Sequence, residues 1–439
     1  RFAHRRELTL DYTPTVSLVP SRRQCTRARP NQRDRPIRPY PARRNGVCQA
    51  KLDTLGPRER FDAPSRAPLQ SSHHRVHVVA ASGTGTPVAT PVRMGIRQAM
   101  RAVYKVTELL GDGIGPELSE AIHTLAKALP IDLQFELVDL SLKNRRARQG
   151  AIYDEAVASI EANRVALKHP TITAEESPNQ VLRRRLNLSV IHRPVYTIPG
   201  VPSNFRRELD VDIIRIATGG TYDDPGRMIG DSGAVSLRIV DRQPVLEAAR
   251  YAFNLARKTG KNVTSASKYT IQKATDGLFQ AVAEAVAQEY PEVPHHAELF
   301  DALLAKIIMK PEPFQVILVL NEYGDFLSDM ACGLAGSLGI GASANLAFDS
   351  SAVVRVALFD AAHGTAPDIA GKGLANPTAI FLALSLLLYQ LGEIRVGKAV
   401  KDSTLDLLRQ GIRTRDLGGQ ESTSSFTAAV ASEVASRLS

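Results

Sequence analysis

Residues 315–320, Gln-Val-Ile-Leu-Val-Leu, form an almost wholly apolar run that stops at the polar stretch Asn321-Glu322-Tyr323-Gly324-Asp325. A short apolar run of this kind fits a strand buried on both faces, which needs helices packed over a sheet. The pattern recurs along the chain. Residues 106–110 read as a strand, followed by a glycine turn and a helix with Pro116 in its first turn and Leu118, Ile122, Leu125, Ala126 and Leu129 at helical spacing. Strands are also predicted over 211–216 and 315–320, and helices over 244–259, 271–290, 299–309, 377–391 and 396–410. Such alternation predicts an α/β protein with a central sheet. No internal repeat at a fixed period is present.

The 439 residues carry a formal net charge of +10, which would suit a nucleic-acid binder if the charge lay on the folded body. It does not. Residues 1–80 hold 16 Arg and one Lys against six acids, which leaves 38 basic and 39 acidic residues for the rest. An Arg-rich, acid-poor, proline-broken leader has the composition of an organelle transit peptide and stands outside fold reasoning. Residues 81–103 read as a linker, and ordered patterning begins near Tyr104. The expectation is no nucleic acid, and no membrane, because no run approaches the ~18 apolar residues of a span. Only Cys332 of the three cysteines lies in the body, which excludes an internal disulfide framework and a thiolate zinc site.

After the 315–320 strand a helix should begin, placing Asp325 and Asp329 four apart on one face, about 5–6 Å from each other at Cβ. Two carboxylates so placed repel unless a cation sits between them, and Mg²⁺ or Mn²⁺ takes carboxylate oxygens by preference. For an arbitrary D-x-x-x-D pair, a helix-end charge and a solvated face are the commoner reading.

Three separated motifs bear on the choice. Gly111-Asp112-Gly113-Ile114-Gly115-Pro116-Glu117, the segment from Asn321 to Asp329, and His363-Gly364-Thr365-Ala366-Pro367-Asp368-Ile369-Ala370-Gly371-Lys372 with Asn376-Pro377 stand in this order. The chain thereby resembles the β-decarboxylating dehydrogenases of the isocitrate/isopropylmalate dehydrogenase family, over nearly the whole body. The resemblance implies that family's α/β fold, which is not a Rossmann fold: a large cofactor-binding domain from 104–188 and 336–439, and a small domain, 189–335, with the dimer interface and metal site. It implies metal ligation by Asp325 and Asp329, with Asp301 reaching in from the other protomer. It implies proton handling by Tyr222 and Lys268, the lysine also from the second protomer, and substrate binding by Arg183, Arg193 and Arg215. A homodimer with shared sites follows.

Those roles agree with the chemistry. A 2-hydroxy acid that loses a hydride and then carbon dioxide presents several carboxylates and passes through an enolate; arginine forks bind the former and a cation stabilises the latter. Ser177 and Asn179 precede Arg183, as in isocitrate dehydrogenases, where apolar residues would favour 3-isopropylmalate. Ser-Pro-Asn is also ordinary turn chemistry. The cofactor is expected along Ile114, Thr173, His363, Gly364, Thr365, Ala366, Asp368 and Asn376. Gly113-Ile114-Gly115 does not complete a G-x-G-x-x-G fingerprint. A carboxylate at Asp368 can accept from both ribose hydroxyls of NAD and would repel the 2′-phosphate of NADP, so NAD is expected.

Departures from the family pattern stand beside these matches. After Arg215 the family usually reads Glu-Asn-Thr-Glu-Gly, and this chain has Ile216-Ala217-Thr218-Gly219-Gly220. Thr270 replaces an asparagine, and Thr173-Ala174 a threonine-proline turn. The reading is an NAD-dependent isocitrate dehydrogenase of the mitochondrial matrix, or of the plastid stroma. The alternatives are a dehydrogenase for 3-isopropylmalate, homoisocitrate or tartrate, and a non-catalytic regulatory subunit.

Overall fold

The computed structural model describes residues 101–439, so the leader and most of the linker lie outside the described residues. The fold opens with β1 (Val103–Leu110), α1 (Gly115–Ala126), β2 (Asp132–Asp139), α2 (Leu142–Arg148), α3 (Gly150–Asn163) and β3 (Val165–Lys168). There follow α4 (Pro178–Leu186), β4 (Val190–Tyr196), β5 (Asp210–Ile216) and a small hairpin of β6 (Arg227–Ile229) and β7 (Gly233–Val235). Next are α5 (Arg242–Thr259), β8 (Val263–Ser267), α6 (Thr275–Ala287), β9 (His295–Leu299), α7 (Phe300–Met309), β10 (Val316–Val319) and α8 (Asn321–Ala335). The strands β11 (Ala342–Phe348) and β12 (Val354–Ala361) precede three closing helices, α9 (Thr378–Gln390), α10 (Ile394–Arg409) and α11 (Thr423–Leu438).

Ten strands form one mixed sheet in the order β2-β1-β3-β12-β11-β4-β5-β10-β8-β9. The outer strands on each side run parallel to their neighbours, whereas β12, β11, β4 and β5 pair antiparallel across the middle. Every residue of β10 is buried, as the apolar run requires, and α9 is apolar on nearly all sides and lies deep in the core. No helix among the described residues is long and apolar enough to cross a membrane.

One expected element is shorter than its pattern. Helix 271–290 begins only at Thr275, because Ile271 and Gln272 both donate backbone N–H to Lys268 O and close a turn. Ile271 is 70% exposed. Its apolar side chain continues the helical spacing without belonging to the core. Leu299 likewise ends β9 rather than starting α7.

Candidate active site

Antiparallel register decides which side chains share a face. Arg193 on β4 is paired with Ile213, and Ile191 with Arg215 on β5. Residues two apart on a strand point the same way, so both guanidiniums rise on one side of the sheet, diagonal to one another. Helix α8 lies over that face. Its close approach depends on Gly324, where a Cβ would come within 2.5 Å of Arg215 Cβ.

Arg215 donates from Nε to Asn321 Oδ1 at 3.0 Å and is ion-paired with Asp325. Arg193 donates to Ser328 Oγ at 2.6 Å and stands 3.4 Å from Asp325 and 3.5 Å from Asp329. The Tyr222 hydroxyl donates to Asp325 Oδ2 at 3.1 Å. Arg183, near the end of α4, reaches Asn345 Oδ1 at 3.4 Å. These groups, with Ser177 and Asn179, line one cavity of about 460 Å³. The structure therefore brings the expected substrate arginines, the tyrosine and the aspartate pair together. Ser177 has a second role as the N-cap of α4, accepting from Gln180 N–H.

Three guanidiniums and three carboxylates, Asp223, Asp325 and Asp329, line the cavity, and Asp223 is engaged by Gly219 N–H and Gln180. Burial pushes Arg215 down, and repulsion by Arg183 and Arg193 adds to it, so that its guanidinium falls to about 9 although Asp325 pulls the other way. Burial also works against ionised Asp325, but Arg215 and Arg193 outweigh it and hold that carboxyl below its ordinary range. Asp329 is raised, by burial first and by the Asp325 charge as well, against Arg193. Burial and Asp325 together push Tyr222 up to about 12, keeping the phenol protonated at neutral pH. A site of this kind favours an anion with several carboxylates.

The sequence did not single out Gln180 or Asp223, which also line the cavity. Gln180 Nε2 donates to Tyr222 O at 2.6 Å and to Asp223 Oδ1 at 3.2 Å, and Asp223 accepts from Gly219 N–H at 2.8 Å. Both fasten the Tyr222 loop to α4. The run that departs from the family pattern has a local cause here. At Gly219 (φ +73°) a Cβ would lie 2.7 Å from Ile239 O, and at Gly220 (φ +71°) it would overlap the Glu322 carboxylate.

Lys268 and Asp301 do not line this cavity. They pair with each other, Nζ to Oδ1, at 2.5 Å. Among the described residues no three His, Cys, Asp or Glu gather around a common point, so within one chain Asp325 and Asp329 offer only two carboxylates to a cation. That donor set, two hard oxygens of which one is raised by the other's charge, fits a divalent metal completed from outside the chain.

The expected cofactor residues also converge. Ile114 N–H donates to Thr365 O at 3.0 Å, and Gly113 (φ +60°) lies so close to Thr365 O that a Cβ would overlap it. Asp112 accepts from Ile172 N–H at 2.9 Å, which draws the Thr173 loop to the same turn. His363 Nε2 is buried with no hydrogen-bond partner among the described residues, and Ala366 holds a left-handed φ of 38°. Asn376 donates to Asp416, a residue the sequence did not single out, at 2.9 Å. Gly364 and Asp368 are exposed on this loop. An orphaned imidazole nitrogen and a strained backbone beside free polar groups fit a bound nucleotide.

Fold and site together define an α/β protein with a ten-stranded mixed sheet, a cleft lined by three arginines and an aspartate pair, and a loop at 363–372 held against the Gly113 turn. The isocitrate/isopropylmalate dehydrogenase family model matches residues 105–430. Mitochondrial NAD isocitrate dehydrogenase subunit 2 of Schizosaccharomyces pombe is 35% identical over 362 residues, covering 80% of this chain and 93% of that protein. A mitochondrial NAD isocitrate dehydrogenase regulatory subunit of Dictyostelium discoideum is 34% identical over 74% of this chain and 90% of its own length. The crystal structure of isocitrate dehydrogenase from Methylococcus capsulatus superposes with a TM-score of 0.71 at 32% identity, covering 75% of this chain and 99% of that one. The chain belongs to the isocitrate/isopropylmalate dehydrogenase family.

Proposed function

We propose that this chain catalyses the metal-dependent oxidation and decarboxylation of isocitrate to 2-oxoglutarate and carbon dioxide with reduction of NAD. The carrying observation is the cluster of Arg183, Arg193 and Arg215 against Asp325 and Asp329 in one cavity. The arginines bind substrate carboxylates, and Ser177 and Asn179 face the one that distinguishes isocitrate from an apolar analogue. Asp325 and Asp329 hold Mg²⁺ or Mn²⁺ with Asp301 of a second protomer. A metal held there would supply Lewis-acid polarisation of the substrate hydroxyl oxygen and stabilise the negative charge that develops on it during decarboxylation. Tyr222, kept protonated by burial and Asp325, gives its proton to the enolate carbon, and Lys268 of the second protomer takes up the substrate hydroxyl proton as the hydride leaves and returns it to the phenolate. His363, Gly364, Thr365, Ala366, Asn376, Ile114 and Thr173 hold NAD, with Asp368 selecting it over NADP.

Residues 104–188 and 336–439 make up the cofactor-binding part, and 189–335 the smaller part that builds the shared site. Exposed apolar side chains on two helices support a homodimer: Ile308 and Met309 on α7 and Phe326 on α8 are 49%, 64% and 58% exposed. The setting is the mitochondrion, as printed for the relatives, and residues 1–80 supply the targeting segment. The test is a steady-state assay with isocitrate, 3-isopropylmalate, homoisocitrate and tartrate. Isocitrate turnover above the others is the expected result, and its absence overturns the assignment.

A second reading, a regulatory role, draws on the Gly219-Gly220 departure and on the Dictyostelium relative. It requires ligand binding without turnover alone, and activity only after mixing with another chain.

A further inference from the structure

Next to the cavity, where the Glu322 carboxylate of α8 packs against Gly220, lies a second buried charge cluster, outside the residues that line the cavity. Arg238 stands 2.8 Å from Glu322 Oε1 and 3.2 Å from Asp276 Oδ1. Both carboxylates are almost fully buried. Two anions against one cation would be costly in the interior, but each carboxylate occupies the first turn of a helix, Glu322 in α8 and Asp276 in α6. The positive end of each helix offsets part of the excess. The Gly220–Ile239 bridge, bonded in both directions, holds the Arg238 segment in place, and Gly220 leaves the room that the Glu322 carboxylate fills.

From this cluster two contacts run toward the Lys268–Asp301 pair. Asp276 Oδ2 accepts the backbone N–H of Lys268 at 2.7 Å and the Tyr323 hydroxyl at 3.2 Å. The Tyr323 ring lies between the Arg238 guanidinium, 4.7 Å from its centroid, and the ring of Phe300, stacked at 4.3 Å. Phe300 immediately precedes Asp301. The backbones that carry Lys268 and Asp301 are thus both fastened to α8, through Asp276 in one case and Tyr323 in the other.

We infer that Arg238 and Glu322 are positioning residues for Lys268 and Asp301, acting on the pair this chain donates to a partner rather than on its own arginine cavity. The inference rests on the shared-site reading above. Without Glu322, Arg238 keeps only Asp276 and is free to turn toward it, and the Lys268 backbone loses a fixed anchor. Displacements on the 1 Å scale at a proton-transfer group cost about a hundredfold when complete.

The test uses mixed dimers of full-length chains, co-expressed with different tags and purified through both. One chain carries Lys268→Met and keeps its aspartates; the other carries Asp325→Asn and keeps its lysine. Each is inactive alone, and the mixed dimer has one complete site. Adding Glu322→Gln to the lysine-donating chain is expected to lower the restored kcat by about tenfold, with KM for isocitrate unchanged. Adding it to the other chain should cost at least fivefold less. Arg238→Lys in the donating chain should recover part of the loss that Arg238→Met causes, and it serves in place of Glu322→Gln if that chain does not fold. Equal losses from the two placements overturn the inference while leaving shared sites intact. If the mixed dimer restores no activity, the shared-site reading fails and the inference with it.

Discussion

Arg215 and Asp325 are ion-paired across the gap between β5 and α8, and the guanidinium is fixed from behind by Asn321 at 3.0 Å. In the proposed site, one member of the pair would meet a substrate carboxylate and the other a cation. Replacing Asp325 with Asn removes a hard ligand and the partner of a buried arginine at once. Metal-dependent turnover is expected to fall on the order of a thousandfold, because charge stabilisation worth several kcal/mol is lost. Circular dichroism should retain the α/β signal. Wild-type turnover in the variant would remove the metal role from Asp325.

If Asp325 and Asp329 hold the metal as proposed, Asp329 should set the pH dependence of its binding. Its carboxyl is raised by burial and by Asp325, whereas Asp325 itself is lowered. Metal binds the deprotonated forms, so Mg²⁺ affinity should weaken as pH falls into the upper carboxylate range, with Asp329 protonating first. In the absence of metal the sign for stability is opposite to that of a salt-bridged acid: a raised carboxyl disfavours the folded chain above its folded pKa, and that penalty disappears as pH falls below its unfolded value. Mg²⁺ titrations followed by calorimetry at several pH values check the first statement. An affinity that stays flat from neutral pH to well below the ordinary carboxylate range would contradict it.

Much of this site was legible in the sequence. Arg183, Arg193 and Arg215 were expected only because they fall in register with the family's motifs, and the aspartate pair, whose i,i+4 spacing alone also fits a solvated helix face, gained weight from the same motifs. Gln180 and Asp223 did not stand out, because only the packing of the Tyr222 loop against α4 gives them a role. Glu322 was hidden for a different reason. On the sequence it reads as a first-turn helix charge, and only the Gly220–Ile239 bridge reveals that the carboxylate is enclosed. The hairpin of β11 and β12 shows the limit of periodicity, since near-continuous apolar runs fit a buried strand and a buried helix alike.

Gly324 is the residue whose loss would separate packing from chemistry. A Cβ there would meet the Cβ, Cγ and Cδ of Arg215 at 2.5 to 3.0 Å, so Gly324→Ala must push α8 away or rotate the guanidinium. A cost of about 1–3 kcal/mol in stability is expected from overpacking, together with a raised KM for isocitrate. Gly277, in α6, has open space where its Cβ would go. Gly277→Ala should stabilise by up to ~1 kcal/mol through helix propensity. Denaturant melts of both variants decide it; equal effects would mean that the contact with Arg215 carries no strain.

The exposed carboxylate of Asp368 lies on the 363–372 loop proposed to hold NAD, where Lys372 Nζ donates to its backbone oxygen at 2.7 Å. That contact leaves the side chain free to meet a ribose. Asp368→Lys should raise KM for NAD by about tenfold or more, equivalent to the loss of a charge-assisted hydrogen bond, and should narrow the gap between NAD and NADP. Unchanged KM for NAD would detach Asp368 from cofactor choice.

In the proposed shared site Asp325 and Lys268 come from different chains, so association becomes a condition of activity. Asp325 lines the arginine cavity, whereas Lys268 pairs with Asp301 outside it. A single chain therefore holds the two halves of the machinery apart. Phe326, on the same helix as Asp325 and 58% exposed, is one of the apolar side chains that a second copy would cover in the proposed dimer. A charge there opposes association without altering the cavity, so Phe326→Asp should yield a folded monomer by sedimentation. Its turnover should stay at least about a hundredfold below wild type even at saturating Mg²⁺, because proton transfer at the enolate carbon contributes about that much or more. A monomer that turns over at the wild-type rate would show that one chain completes its own site.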